Sequence, residues 1–194
     1  MNGRRATVRV LEELPLPAPP PLSLHLLQAA VKDKAAELIV QKATELGAAT
    51  VSFFPSANSP GSLKHLAAPK ALARWETIAA EACKQCDRQF PPALAVLPDL
   101  AAALAKNGAA SISWLLHPGG GSAAEALENR EPAPSPCRGQ SAARVLVGPE
   151  GGFSEAEVAQ ARAAGFTPVG LGGNTLRAET AALAACALLL LGSG

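Results

Sequence analysis

Apolar and polar positions alternate along the chain in blocks that predict strands followed by helices. Leu22 to Ala29 is predicted as a strand, and Lys34 to Leu46 as a helix that ends at Gly47, because glycine is common just past a helix C-terminus. Further predicted strands are Thr50 to Phe54, Ala93 to Leu97, Ile112 to Leu116, Val145 to Val147 and Pro168 to Leu171. Further predicted helices are Pro69 to Cys86, Asp99 to Lys106, Ser154 to Gly165 with Ser154 and Glu157 as a capping box, and Ala178 to Leu191. This alternation is typical of a mostly parallel sheet covered on both faces, so an α/β fold is predicted.

Two proline-rich stretches divide the chain. Residues 15–21 are predicted as an extended linker, because proline neither donates to a strand ladder nor fits inside a helix. Thr7 to Leu11 before it is predicted as one short strand, so residues 1–21 are expected to be the end of another domain and residues 22–194 the main domain. Residues 131–136 lie in a polar run that is predicted as a surface loop.

Composition and charge place only weak limits on the number of domains and on the kind of ligand. The 194 residues, 48% hydrophobic, are enough for one domain with a substantial core. The net charge of +1 gives no strong attraction to nucleic acid. Residues 1–106 carry 12 Lys and Arg against 9 Asp and Glu, whereas residues 107–194 carry 5 against 7. A polyanion is therefore expected to meet the first half.

The cysteines and the apolar C-terminal run have simple explanations. Cys83 and Cys86 form a CxxC, but a zinc site needs two more ligands and the spacing offers none, so both are predicted as ordinary helix residues and no metal is expected. Without a signal peptide, a reducing cytoplasm is predicted. The run from Ala181 to Leu191 is shorter than the about 20 residues that span a bilayer, so a buried helix is predicted.

Three glycine-bearing segments follow predicted strands. They are residues 117–121, 148–152 and 171–177. Their spacing matches neither a phosphate-binding GxxxxGK[ST] loop, nor a dinucleotide GxGxxG, nor a GxSxG nucleophile turn. Loops after parallel strands meet at one edge, where bare main chain can bind a flat polar ligand. Tight turns without a ligand fit the same spacing, so both interpretations stay open at this point.

Two motifs resemble a known family. VGPEGGFSEAE and LGGNTLRAETAALAA are similar to the C-terminal signature of the RsmE-type 16S ribosomal RNA (uracil-N3)-methyltransferases, which belong to the SPOUT class and use S-adenosylmethionine. QKATELG, from Gln41, and WETIAAEACKQCDR, from Trp75, resemble two family helices. The resemblance covers about residues 22–191. It implies methylation of N3 of one uridine in small-subunit ribosomal RNA.

The resemblance also implies a particular fold and a particular cofactor site. SPOUT domains form a C-terminal trefoil knot, an exception to unknotted topology. The knot is where S-adenosylmethionine is expected to bind, and the dimer is expected to share the site between subunits. The implied cofactor-binding residues are Leu116, His117, Gly148, Gly151, Leu171, Gly172, Asn174, Leu176 and Arg177. The predicted helix Ala178 to Leu191 is apolar all round, which independently favours a partner subunit as its cover.

Candidate catalytic residues follow from the chemistry of uracil N3, whose proton must leave before the nitrogen can attack. A base, or a cation that stabilises the uracil anion, would serve. Arg177 is the first candidate for the cation, and Glu150 and Glu179 are candidates for the base or an orienting group. A helix-capping role for Glu150, and a local ion pair of Arg177 with Glu179, remain alternatives. Lys42, Gln85 and Arg88 match family positions and are candidates for RNA contacts, with a solvated helix surface as the alternative.

Departures from the family leave a second function open. Family members begin with a PUA-like β-barrel that grips RNA, and here only its last strand is expected, at Thr7 to Leu11. Asn58-Ser59 stands where the family commonly has Arg-Ser, and Asn174 where it often has Arg. The alternative is a non-catalytic module that binds S-adenosylmethionine or RNA after losing its barrel. An unrelated nucleotide-binding α/β protein remains only if the motif match is accidental.

Overall fold

The computed structural model describes residues 20–59, 69–106, 108, 110–128 and 141–192, together with residues 9, 11 and 12. Six strands lie in this described part of the chain: β1 (Leu22–Ala29), β2 (Thr50–Phe54), β3 (Ala93–Val96), β4 (Ile112–Ser122), β5 (Ser141–Val147) and β6 (Thr167–Gly170). The helices are α1 (Asp33–Leu46), α2 (Pro69–Gln85), α3 (Leu100–Ala105), α4 (Ala123–Glu128), α5 (Glu155–Ala163) and α6 (Ala178–Leu191). The predicted strand at Thr7 to Leu11 and the linker at 15–21 fall largely outside the described residues, as does the predicted loop at 131–136.

The strands form one sheet in the order β3-β2-β1-β5-β4-β6, and every neighbouring pair is parallel. The predicted α/β class with a parallel sheet is therefore confirmed. Three elements differ most from the prediction. β5 begins at Ser141, four residues before the predicted Val145. β4 continues past Leu116 to Ser122, and the short helix α4 follows it directly.

The core lies on both faces of the sheet because side chains alternate along each strand. In β1, Leu24 and Leu26 pack with α1, α2 and α6 on one face, whereas Leu27 and Ala29 pack with α3 and α5 on the other. All four are fully buried. A buried leucine stabilises the fold by roughly 1.5–3 kcal/mol relative to an exposed one, so the central strand, buried on both faces, is strongly held.

Two predicted helix ends are confirmed by their hydrogen bonds. After α1, Gly47 adopts a φ of 98°, where a side chain would be strained, and its N–H donates to Thr44 O at 3.1 Å. Before α5, Ser154 N donates to Glu157 Oε2 at 2.8 Å, and Glu157 N donates to Ser154 Oγ at 3.3 Å. This reciprocal pair is the predicted capping box.

The last helix lies far from the strand that precedes it. β6 is an edge strand beside β4, but α6 packs over the middle of the sheet against β1, β5 and α1. Ala182, Ala185 and Cys186 on one side of α6 are fully buried, and burial raises the pKa of the Cys186 thiol to about 12. On the other side Leu188 and Leu191 are 42% and 69% exposed. The helix is therefore buried along one side within a single chain.

Two further described cysteines, Cys83 and Cys86, lie at the end of α2. Cys83 is buried within α2, as predicted, whereas the half-buried Cys86, predicted as the last helix residue, follows the end of the helix at Gln85. Among the described residues no three His, Cys, Asp or Glu side chains are grouped so that they could hold a metal ion. In the same part of the chain no helix has the length and apolar character needed to cross a membrane.

Polar side chains of β1, β2 and β5 lie in the amino half of these strands, on the face of the sheet that α3 covers. His25 Nδ1 lies 3.1 Å from Thr50 Oγ1, and Arg144 on the neighbouring strand is buried with its guanidinium 4.6 Å above the Phe166 ring. Burial, and then the positive charges of Lys106 and Arg144, lower the pKa of His25 from its ordinary value. The positively charged form of the His25 imidazole is therefore disfavoured in the folded protein.

Candidate active site

The carboxyl ends of the strands meet at one edge of the sheet, where open α/β sheets bind their ligands. Four segments reach this edge. They are residues 55–59 after β2, the second half of β4, residues 148–154 after β5, and residues 171–177 after β6. The three glycine-bearing segments singled out in the sequence therefore lie at the same edge.

One of the three is not a loop, and this prediction was wrong. Residues 117–121 belong to β4, which shifts register after Leu116 so that Gly121 pairs with Val169 of β6. A Cβ on Gly120 would lie 2.5 Å from the main-chain nitrogen of Val169. The glycine therefore allows two backbones to approach closely, which explains its presence without a ligand.

The second segment, Gly148 to Gly152, is a loop whose shape is fixed by a hydrogen bond from a buried side chain and by a hydrogen bond within the loop. Its first carbonyl, that of Gly148, accepts a hydrogen bond of 3.1 Å from Nε2 of the fully buried Gln28. Gly152 N donates to Pro149 O at 2.9 Å and closes a turn in which Gly152 has a φ of 69°. Phe153 then packs 3.2 Å from the position of a Cβ on Gly148. Glycine at both positions serves the tight path of the loop.

The segment that follows β2 also holds this loop, through hydrogen bonds from a side chain. Asn58 Nδ2 donates to the carbonyls of Gly151 and Gly152, at 3.3 and 3.1 Å. Next to it, Ala57 N donates to Glu157 Oε1 at 2.8 Å. The segment after β2 is thus tied both to the glycine loop and to the first turn of α5.

The third segment, Leu171 to Arg177, is an exposed turn with unpaired main chain. Gly172 has a φ of 98°, and open space lies beside it and beside Gly173. The N–H groups of residues 172–176 donate to no acceptor among the described residues. These groups are available to a ligand, in contrast to the paired carbonyls of the glycine loop.

The candidate catalytic side chains lie at the surface of this edge. Arg177 precedes α6 and its side chain is 85% exposed, whereas that of Glu179 is 18% exposed. Their closest atoms, Arg177 Nη1 and Glu179 Oε1, are 4.0 Å apart, at the limit of an ion pair. Such an exposed pair contributes little to stability, so it does not account for the arginine. Glu150 is exposed in the turn of the glycine loop and makes no hydrogen bond with described residues. Its predicted role, like those of Arg177 and Glu179, stays a prediction.

A groove of about 400 Å³ adjoins the glycine loop on the α5 side. It is lined by His117, Phe153, Glu155, Val158, Ala159 and Arg162. His117 Nδ1 accepts a hydrogen bond of 3.1 Å from Gly119 N. His117, predicted at the cofactor site, therefore has one ring nitrogen occupied by its own strand and its ring at the groove.

The three candidate RNA contacts lie away from this edge and have protein partners or acidic neighbours. Lys42 Nζ is 2.9 Å from Glu45 Oε1. Gln85 lines an open groove between α1 and α2 together with Lys34, Glu37 and Glu81. Arg88 donates to two main-chain carbonyls at the end of α1. Their RNA-binding role stays a prediction.

Two residues that contact the candidate loop were missed from the sequence. Gln28 is a single polar residue between Leu27 and Ala29 in an apolar strand, and that break in the pattern is a signal for a buried hydrogen bond. Asn58 was noted only as a departure from the family. Its contact with a loop more than 90 positions further along the chain has no local signal.

The edge suits S-adenosylmethionine, the cofactor that the resemblance implies. The N–H groups of Glu150 and Gly151, like those of residues 172–176, have no described acceptor. Adenine and amino-acid groups are recognised by such main-chain groups beside apolar surface. That surface is available from half-buried leucines at positions 116, 171 and 176. The residues present therefore fit the cofactor.

Comparisons with known proteins agree with this chemistry. A family model described as an RNA methyltransferase domain matches residues 18–190. The chain is 30% identical to the ribosomal RNA small subunit methyltransferase E of Buchnera aphidicola subsp. Schizaphis graminum over 185 residues, which cover 90% of this chain and 67% of that protein. It is 31% identical to the protein of the same name in Aquifex aeolicus over 193 residues, which cover 97% of this chain and 77% of that protein.

A solved relative contains the cofactor. The ribosomal RNA small subunit methyltransferase E of Neisseria gonorrhoeae, bound to S-adenosylmethionine, has 32% identity and a TM-score of 0.67, with 87% of this chain and 65% of that chain covered. The chain thus spans between about two thirds and three quarters of the length of these relatives. It belongs to the family of RNA methyltransferase domains that includes the ribosomal RNA small subunit methyltransferase E proteins.

Proposed function

We propose that the chain is an S-adenosylmethionine-dependent methyltransferase that modifies N3 of a uridine in 16S ribosomal RNA of the small subunit. The observation that carries the proposal is the position of two segments at the same edge of the sheet, in a chain of an RNA methyltransferase family. They are the fixed glycine loop, Gly148 to Gly152, and the turn with unpaired main chain, Leu171 to Arg177. The cofactor in the Neisseria gonorrhoeae relative and the names of the relatives support the same activity.

In this proposal the cofactor is held by main-chain groups of the glycine loop and of the turn, with leucines 116, 171 and 176 as apolar surface. When bound, it supplies an electrophilic methyl group on a sulfonium sulfur. The target uridine must leave its stack before N3 can reach the site. N3 carries a proton and a delocalised lone pair, so the nitrogen becomes nucleophilic only as that proton leaves.

Arg177 would stabilise the negative charge that develops on the uracil ring. Its guanidinium is 85% exposed directly after the turn and is free to approach a bound base. Glu179, 4.0 Å away, would limit the positions of that guanidinium. Glu150, exposed in the glycine loop, would accept the N3 proton or orient the group that does.

The test is methyl transfer to ribosomal RNA. The purified chain is incubated with methyl-labelled S-adenosylmethionine and small subunits from a strain that lacks this modification, and the nucleosides are then separated to identify N3-methyluridine. Arg177→Ala is expected to lower the rate at saturating cofactor by about a hundredfold, as when a group that stabilises transition-state charge is removed.

Arg74→Ala is the matched control, since Arg74 is also an exposed arginine in an ion pair, 2.8 Å from Glu37, but lies on α2. Its rate is expected to equal that of the wild type. Cofactor binding without any transfer would instead support the non-catalytic module. An Arg177→Ala rate equal to that of the wild type would remove Arg177 from the mechanism.

We also propose that the active form is a homodimer in which α6 is covered by a second copy. The exposure of Leu188 and Leu191, which are three positions apart on an apolar helix, supports this, because adjoining exposed apolar side chains can form an interaction surface. Light scattering coupled to size-exclusion chromatography is expected to give twice the chain mass. Leu191→Asp is expected to shift the protein to monomers, and an unchanged dimer would contradict the proposed interface.

The trefoil knot, the domain division and the location remain parts of the proposal. The return of the chain from the edge strand β6 to the middle of the sheet supports a knotted C-terminal segment. An experimental main-chain trace tests it directly. The domain division, with residues 1–21 belonging to a PUA-like domain and its linker and residues 22–194 forming the methyltransferase domain, rests on the family resemblance. A ribosomal substrate would place the protein in the cytoplasm.

A further inference from the structure

We infer that Asn58 and Glu157 are positioning residues that hold the Gly148–Gly152 loop in its cofactor-binding shape. The inference rests on the proposed function, because it assigns these residues to the cofactor site. It concerns Asn58, which lies outside the two motifs and comes from a different strand connection, and Glu157, the last residue of the VGPEGGFSEAE motif. The geometry of this connection carries the argument.

Asn58 contacts the loop at its closest point to β2. One amide nitrogen donates to two carbonyls, those of Gly151 at 3.3 Å and Gly152 at 3.1 Å. A Cβ on Gly151 would lie 3.0 Å from Cβ of Asn58 and 3.4 Å from its carbonyl oxygen, so the two segments pack closely here. Any larger residue at position 151 would push the asparagine away from the carbonyls.

The segment that presents Asn58 is itself closed by hydrogen bonds. Ser56 N donates to Ser59 Oγ at 3.1 Å, and Ser59 N donates to Ser56 O at 3.1 Å. Asn58 lies between these two residues in a formed turn. Its amide therefore loses less conformational entropy on contact with the loop than it would from an open segment.

Glu157 provides the second link, because its carboxylate serves two elements at once. Oε2 accepts from Ser154 N and Oγ, at 2.8 and 2.9 Å, which is the capping box at the start of α5. Oε1 accepts from Ala57 N at 2.8 Å. A capping box needs only the first of these contacts, so the second is an additional tie between the exit of the glycine loop and the β2 turn.

Together with Gln28, these contacts fix one side of the loop. The carbonyls of Gly148, Gly151 and Gly152 all accept hydrogen bonds from the protein, whereas the N–H groups of Glu150 and Gly151 have no acceptor among the described residues. The ties thus select which main-chain groups remain for a ligand. Loss of the hydrogen bonds from Asn58 would let the loop adopt other orientations that do not bind the cofactor. The apparent affinity for the cofactor would then fall in proportion to the fraction of molecules that keep the binding orientation.

The decisive variant is Asn58→Asp, which keeps the shape but replaces the donating amide by an oxygen that faces two carbonyls. The dissociation constant of S-adenosylmethionine, measured by calorimetry, is expected to rise about tenfold, the order expected when one or two hydrogen bonds are lost. The KM for the cofactor should rise while kcat at saturating cofactor is unchanged, because only binding is affected. Glu157→Ala is expected to act in the same direction, and the double variant should lose less than the product of the two effects.

Gln160→Glu is the matched control, since it adds the same charge at an exposed position of α5 and is expected to leave cofactor affinity and melting temperature as in the wild type. If the wild type does not bind S-adenosylmethionine, the proposed function fails. If the wild type binds and Asn58→Asp binds equally well, only the present inference fails. The inference would also be overturned by a variant whose kcat and melting temperature both fall without a selective rise in KM. That result would indicate a general loss of folded structure and not a specific effect on cofactor binding.

Discussion

Replacing Arg88 by alanine separates two roles that this residue could have. Its Nη1 donates to Thr44 O at 3.0 Å and its Nη2 to Ala48 O at 2.7 Å. Thr44 O lies in the last turn of α1, where main-chain acceptors have no partner within the helix, and also accepts from Gly47 N. Ala48 lies two residues past the end of the helix. The guanidinium thereby joins the segment after α2 to the end of α1. Burial lowers the pKa of Arg88 from its ordinary value, which agrees with a head group partly removed from water.

The expected loss of stability follows from these two bonds. A hydrogen bond to a charged group contributes roughly 1.5–3 kcal/mol, but Arg88 is only half-buried and water can replace part of each bond. We therefore expect a loss of about 2–3 kcal/mol in the free energy of unfolding for Arg88→Ala. For a chain of this size that corresponds to a fall of about 4–12 °C in melting temperature.

The assay is thermal and urea unfolding, followed by RNA binding at several salt concentrations. Arg88→Lys keeps the charge, but a single ammonium cannot reproduce the two-pronged contact, so its stability should be intermediate. Lys84→Ala is the matched control, because Lys84 is an exposed cation on α2 that pairs only with Glu81 among the described residues. Its stability should stay within about 0.5 kcal/mol of the wild type. An Arg88→Ala protein that melts like the wild type but loses RNA affinity would refute the structural role.

Two further predictions concern the sheet itself. The lowered pKa of His25 means that the unfolded chain binds a proton more readily than the folded one, so stability is complete above pH 6.5 and falls as the pH drops below it. Urea midpoints at pH 7.5 and 5.5 should differ less in His25→Gln than in the wild type, and equal differences would contradict the assignment. Gly120→Ala should destabilise the fold by about 1–3 kcal/mol, because its Cβ would meet the Val169 backbone at 2.5 Å. Gly121→Ala, with open space around it, should be close to neutral in the same unfolding assay, and equal losses in both variants would refute the close-contact explanation.

Local patterns were sufficient to predict most elements of this fold. The strand Leu22–Ala29 and the helix Ala178–Leu191 have the predicted bounds, because an apolar run between clear punctuation is a local signal. The continuation of β4 to Ser122 was not predictable in this way. Its glycines and proline disfavour a strand, and the pairing with Val169 and Gly170 that holds it there involves residues almost 50 positions away.

The sequence predicted the motifs of the candidate site but not the residues whose hydrogen bonds hold these motifs in place. The glycine loop and the turn before Ala178 were found because the motifs that contain them, VGPEGGFSEAE and LGGNTLRAETAALAA, resemble the signature of the family. The hydrogen bonds that shape the loop come from Gln28 and Asn58, which are 120 and 93 positions away from their partners in the sequence. No periodicity carries that information, since the contacts exist only once β1, β2 and β5 are neighbours.

The position of α6 over the centre of the sheet has a consequence for synthesis of the protein. It is the last described element to leave the ribosome, and it covers β1 and β5, which were translated earlier. A nascent chain that stops near residue 170 would leave the middle of the sheet exposed to chaperones and would also lack the turn proposed to hold the methyl donor. Completion of the hydrophobic core and of the binding site therefore both depend on the synthesis of residues 171–191, so a fragment that ends near residue 170 should be both prone to aggregation and inactive.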